Sequence, residues 1–109
     1  MKIELKVSAN GTKFYYIKGT NIYHRLDGPA VEYTNGDKIW YKEGKYHRLD
    51  GPAIEWADGS KSWYKEGFTH RLDGPAVVDS DGYIEYWIEG KYIPNVNSIE
   101  EAIIKNLLE

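Results

Sequence analysis

The sequence predicts a mainly β fold, an antiparallel meander of about four repeated β-hairpins followed by one C-terminal α-helix. Three observations predict it. The segment His-Arg-Leu-Asp-Gly-Pro-Ala occurs three times without change, at His24 to Ala30, His47 to Ala53 and His70 to Ala76, with starts 23 residues apart. Four glycine pairs, Gly11/Gly19, Gly36/Gly44, Gly59/Gly67 and Gly82/Gly90, keep a spacing of eight residues. Between the members of each pair stand two adjacent aromatics, Tyr15/Tyr16, Trp40/Tyr41, Trp63/Tyr64 and Tyr86/Trp87. A period of this length marks an array whose units bury their apolar faces against one another. Residues 1–97 form the repeat domain, with repeats starting near 24, 47 and 70 and half-repeats as caps; residues 98–109 form the helix.

Each unit reads as a hairpin. Asn10-Gly11, Asn35-Gly36, Asp58-Gly59 and Asp81-Gly82 are dipeptides suited to the positive φ angles of a two-residue type I′ turn, and each lies between runs rich in Val, Ile, Tyr and Trp. Such a turn at Asn35-Gly36 pairs Val31 with Trp40, and its equivalents pair Ile54 with Trp63 and Val77 with Tyr86. Gly44 and Gly67 then end the return strands. Pro29, Pro52 and Pro75 fall at strand starts, where a missing N–H is tolerated. After Tyr92 the expected His-Arg becomes Ile93-Pro94, and the repeat stops. Ser98-Ile99-Glu100-Glu101 reads as a capping box, and Ile99, Ile103 and Leu107 with Ile104 and Leu108 follow at helical spacing. The helix therefore runs from Ser98 to about Leu108 and covers a sheet face or the last edge strand.

Composition narrows the function classes. A chain of 109 residues that is 41% hydrophobic and 15% aromatic builds one domain and argues against disorder. It has no cysteine, so disulfides and thiolate metal sites are excluded and nothing points to an oxidising compartment. No stretch approaches a membrane span, and Met1 to Lys6 lacks the apolar run of a signal peptide. The expected location is cytoplasmic. A net charge of -3 disfavours a nucleic-acid partner.

The repeat resembles the MORN family, and more closely its variant in YwqK-type antitoxin proteins. The resemblance is carried by Asp27-Gly-Pro-Ala-Val-Glu-Tyr33, the Asn35-Gly36 turn and Trp40-Tyr41-Lys42-Glu43-Gly44-Lys45, and it covers roughly residues 9 to 92. The chain departs from the family in placing His-Arg-Leu-Asp before Gly-Pro, a form similar to repeats in uncharacterised bacteriophage proteins. The resemblance implies a strip of hairpins serving protein or lipid contacts without enzymatic activity. It also implies an inhibitor or antitoxin-like role, phage-encoded against a host factor.

Candidate sites follow from alternation. It places Val31, Tyr33, Trp40, Ile54, Trp56, Trp63, Val77 and Tyr86 on one face, the expected core. It places Tyr41, Tyr64 and Trp87 with Glu32, Glu55 and Glu85 on the other, an aromatic strip edged with acid and the expected surface for a protein partner or self-association. The three histidines invite a metal reading, but copies two strands apart, roughly 9 to 10 Å, cannot share one ion. The expectation is no metal and no cofactor, with Asp27, Asp50 and Asp73 accepting hydrogen bonds that close the turn. Arg25, Arg48 and Arg71 would form a row able to bind anions, and the alternative function is an oligomeric sponge that uses them to hold an anionic nucleotide. No catalytic motif is present: there is no nucleophile elbow, phosphate loop or paired-histidine helix.

Overall fold

The structure is a computed structural model and describes residues 1–109. It is an antiparallel meander with a C-terminal helix, as the sequence predicts. The strands are β1 (Ile3–Val7), β2 (Lys13–Ile17), β3 (Val31–Glu32), β4 (Lys38–Ile39), β5 (Tyr41–Lys42), β6 (Lys45–Tyr46) and β7 (Ile54–Glu55). They continue as β8 (Lys61–Ser62), β9 (Tyr64–Lys65), β10 (Phe68–Thr69), β11 (Val77–Val78), β12 (Ile84–Ile88) and β13 (Lys91–Ile93), and α1 spans Ile99–Leu107. One nine-stranded sheet has the order β1-β2-β3-β4-β7-β8-β11-β12-β13, and two small hairpins, β5-β6 and β9-β10, stand beside it. The molecule is a slab of 47 × 30 × 18 Å. No helix is long and apolar enough to cross a membrane.

Four hairpins form the main sheet, but their turns differ from the sequence expectation. Val31 opposes Ile39, not Trp40; Ile54 opposes Ser62, not Trp63; and Val77 opposes Glu85, not Tyr86. The loop at Asn35-Gly36 has three residues: the Gly36 N–H donates to the Tyr33 carbonyl at 3.1 Å, and only Gly36 takes a positive φ, at 102°. Asn35 instead uses its side chain, whose oxygen accepts the Asp37 N–H at 3.0 Å. Asn10, Asp58 and Asp81 accept the N–H two residues ahead in the same way. Such an Asx turn followed by a left-handed glycine is the three-residue alternative to the type I′ turn.

The type I′ turns sit at the second glycine of each unit. Lys42 opposes Lys45, so Glu43-Gly44 is a two-residue loop with both φ angles positive, 48° and 80°. Glu66-Gly67 and Glu89-Gly90 repeat it. Gly44 and Gly67 therefore open a further hairpin and do not end a strand.

A register moved by one residue exchanges the faces of everything beyond it. On one face, Val31, Ile39 and Ile54 form a buried cluster, against which Phe14, Tyr23, Tyr41, Tyr46 and Tyr64 pack. On the other face runs an alternating charge ladder, in which Lys13 opposes Glu32, Glu32 opposes Lys38, Lys38 opposes Glu55 and Glu55 opposes Lys61. Beside it, the register continued by one residue gives the row Tyr15, Ala30, Trp40, Ala53, Trp63, Ala76, Tyr86. The alanines are fully buried, and the large rings flank each small residue. Trp40 and Trp63 thus belong to the charged face, not to the cluster with Val31 and Ile54.

The row ends under α1. Tyr86, Ile88 and Ile93 bury against Ala102, with Ile99 and Ile103 beside them. Ser98 caps the helix by accepting the Glu101 N–H at 3.1 Å, while the Glu101 carboxylate accepts the Asn97 N–H at 2.9 Å. Only 15 of 109 residues are buried, so function must be sought on an open surface.

Candidate functional site

The seven-residue motif explains itself residue by residue, with one exception. Its histidine accepts a hydrogen bond through Nδ1 from a backbone N–H in the following turn: Glu43 to His24 at 2.8 Å, Glu66 to His47 at 2.9 Å and Glu89 to His70 at 2.8 Å. Each donor is the glutamate held at positive φ, a conformation that costs a non-glycine residue roughly 1–2 kcal/mol. The histidines therefore fix strained turns 19 residues ahead. Burial pushes the pKa of His47 below its usual value, against the opposing pull of the Glu66 carboxylate. No group of three His, Asp or Glu side chains lies close enough together to hold a metal ion.

The arginine lies over a ring of the row. The guanidinium carbons of Arg25, Arg48 and Arg71 lie 4.0, 3.9 and 3.8 Å from the ring centres of Tyr15, Trp40 and Trp63. Arg48 donates from Nε to Asp50 at 3.1 Å, and from one terminal nitrogen to the Pro52 carbonyl at 3.1 Å and to Glu55 at 2.8 Å. Arg25 repeats this set with Asp27, Pro29 and Glu32. Arg71 keeps Asp73 and Pro75, but Val78 stands where the glutamate would be. The Arg25 guanidinium in turn holds the Asp27 carboxyl below the usual carboxylate range. The row of arginines exists, and in each the Nε and one terminal nitrogen already bind carboxylates and carbonyls of the chain, which leaves the other terminal nitrogen outside these bonds. The motif glycine leaves room for this packing: a Cβ on Gly51 would lie 2.9 Å from the Arg48 guanidinium carbon.

Leucine is the exception. Leu26, Leu49 and Leu72 are 76%, 80% and 55% exposed, and they touch none of the buried clusters. A large apolar side chain left mostly in water gains little from burial, yet it stands unchanged at the same place in all three copies. The leucines divide one face into successive grooves. Between Leu26 and Leu49 lies a groove of about 740 Å³ lined by Trp40 and Lys42, and between Leu49 and Leu72 one of about 630 Å³ lined by Trp63 and Lys65. A further groove of about 740 Å³ lies between Leu26 and the exposed Ile3 and Leu5 of β1.

The aromatic strip expected to meet a partner is divided by the true register. Tyr41 and Tyr64 belong to a ladder of rings, Tyr23, Tyr41, Tyr46 and Tyr64, whose successive centres lie 5.3, 5.0 and 4.9 Å apart, packed on the Val31 cluster. Trp87 packs against Tyr92 in a tilted arrangement, with ring centres 5.4 Å apart, and donates to Glu85 at 2.9 Å. Glu32 and Glu55 lie on the opposite face, bound to Arg25 and Arg48. They do not form one surface. Sequence reasoning missed Leu26, Leu49 and Leu72, although the signal was available: they are the only apolar residues of the motif between two charged ones. Comparison with known proteins gives no match to a family model, to a curated protein or to a solved structure.

Proposed function

We propose that this chain is a non-enzymatic repeat module that binds a protein partner through the grooved face bearing Leu26, Leu49 and Leu72. The observation that carries the reading is the threefold recurrence of an exposed leucine in a motif whose other members all serve the fold. Exposed apolar residues repeated at the same place in each unit, beside aromatic floors and charged edges, match the apolar centre and polar rim of a protein interface. The resemblance to MORN-type antitoxin repeats supports an inhibitor or antitoxin-like role within this reading. A cytoplasmic setting belongs to it too, supported by the cysteine-free composition. The anionic-nucleotide alternative has less support because the Nε and one terminal nitrogen of each arginine are engaged within the chain.

The test compares the wild-type chain with the triple variant Leu26→Asp/Leu49→Asp/Leu72→Asp. Both should melt alike, and a partner crosslinked through a photoreactive residue at position 50 of the wild type should be lost from the variant. A partner retained by the folded triple variant, or melting raised by a nucleotide panel, would count against this surface.

A further inference from the structure

We infer that the partner element is an amphipathic α-helix laid across the strands, with apolar residues at heptad spacing that enter the grooves beside Leu26, Leu49 and Leu72. The inference rests on the binding reading above and adds to it the form of the ligand.

The chain itself shows that this row of rings accepts a helix at its end. Tyr15, Trp40, Trp63 and Tyr86 occupy equivalent positions in one row on one face. Over the first three lies an arginine of the motif, bordered by an exposed leucine. At the fourth, Ile93-Pro94 replaces His-Arg, no guanidinium stacks on Tyr86, and α1 seats Ile99, Ala102 and Ile103 there. The last position of the array is thus covered by an amphipathic helix, whereas at the equivalent positions one, two and three repeats earlier the motif arginine covers the ring and the groove beside its leucine is open. The helix uses small and β-branched residues at i, i+3 and i+4 for this contact, the pattern by which helices enter grooves.

Spacing selects the same ligand. Successive leucines lie two strands apart, roughly 9 to 10 Å. An α-helix returns to the same side every seven residues with a rise of about 10.5 Å. An extended chain presents its same-side residues about 6.6 to 6.8 Å apart, so it falls out of step with the leucines after one repeat. A heptad stripe stays in step along all three, and the twist of the sheet adds the slow rotation that a heptad stripe itself carries. Chemistry around the leucines adds polarity at the rim: Asp27, Asp50 and Asp73 are almost fully exposed on one side, and Lys42 and Lys65 line the grooves. A helix with both charge signs flanking its apolar stripe meets that rim.

The experiment presents the full chain to a displayed library of random 21-residue peptides. Selection on the wild type is followed by counter-selection on the triple variant Leu26→Asp/Leu49→Asp/Leu72→Asp, and on Leu26→Ala/Leu49→Ala/Leu72→Ala in case the aspartates disturb folding. Expected are sequences with apolar residues at i and i+7, gaining helical circular dichroism on binding and bound at least tenfold more weakly by the alanine variant. Leucine-dependent sequences with period-two alternation, or with no period, would overturn the helix inference and leave the binding reading standing. If no enriched sequence depends on the leucines, both fall.

Discussion

The guanidinium of Arg48 lies 3.9 Å above the Trp40 ring while one of its terminal nitrogens reaches Glu55 at 2.8 Å. One side chain thus joins the motif of its own repeat to the strand before it and the strand after it. Arg25 holds its repeat in the same way, with Tyr15 as its ring and Glu32 as its acceptor, whereas Arg71 stacks on Trp63 without a glutamate on the following strand. In a sheet with so few buried residues, these stacked arginines stand in for a second layer.

Replacing Arg48 by alanine should therefore destabilise the chain by about 1–3 kcal/mol, from the lost cation–π contact and the unpaired Pro52 carbonyl. Arg48→Lys should recover less than half, because an ammonium has no planar fork to lie on the ring and reach three acceptors. Urea denaturation followed by tryptophan fluorescence checks both, and full recovery by lysine would count against the stacked geometry. Asp50→Ala should cost less than about 1 kcal/mol, since its carboxylate is exposed and meets only the Arg48 Nε.

Glu43 occupies a left-handed position that suits asparagine better. Glu43→Asn should stabilise the chain by about 0.5–1 kcal/mol, read as a rise in melting temperature. Glu66→Asn should gain less, because Glu66 also pairs with Lys42 at 2.8 Å. A fall in melting temperature for Glu43→Asn would mean the turn is not of type I′.

Stability should fall as pH drops below about 6.5. The folded pKa of His47 is lowered, so above 6.5 the neutral ring contributes fully. As pH falls toward the folded value, the unfolded chain binds more protons and stability declines. Protonation at Nδ1 also removes the acceptor for the Glu66 N–H. Asp58 and Glu66, whose carboxyls are held below their usual values by backbone and side-chain hydrogen bonds from Ser60 and by Lys42 respectively, titrate lower and leave the window from pH 6.5 to 5 to His47. His47→Gln keeps an acceptor that does not titrate, and should reduce the slope of melting temperature against pH there.

Removing residues 98–109 should expose Tyr86, Ile88 and Ile93. Loss of several core-sized contacts of this kind costs roughly 3–5 kcal/mol, and the bared face should cause aggregation visible by light scattering. Ala102→Asp tests the same contact without truncation, and a truncated chain that keeps its solubility and melting temperature would show that α1 contributes nothing to the sheet.

Much of this was legible in the sequence: the period, the four main hairpins, the proline positions, the Ser98 cap and the array's end at Ile93-Pro94 are all local signals. The assignment of turns was not. Asn35-Gly36 suits a two-residue or a three-residue loop, and Glu43-Gly44 carries no ordinary turn signal. The choice is made between strands distant in sequence, by the alignment of Val31 with Ile39 and of Ile39 with Ile54. It is also made by His24, which reaches 19 residues ahead to hold Glu43 in a conformation it would not adopt alone. Because side chains alternate with a period of two, that single residue of register sends Trp40 and Trp63 to the arginines and Tyr41 and Tyr64 to the core. Sequence by itself determined that the chain is an array of hairpins; tertiary packing decided its faces, since each short strand's register is set by partners it meets only on folding.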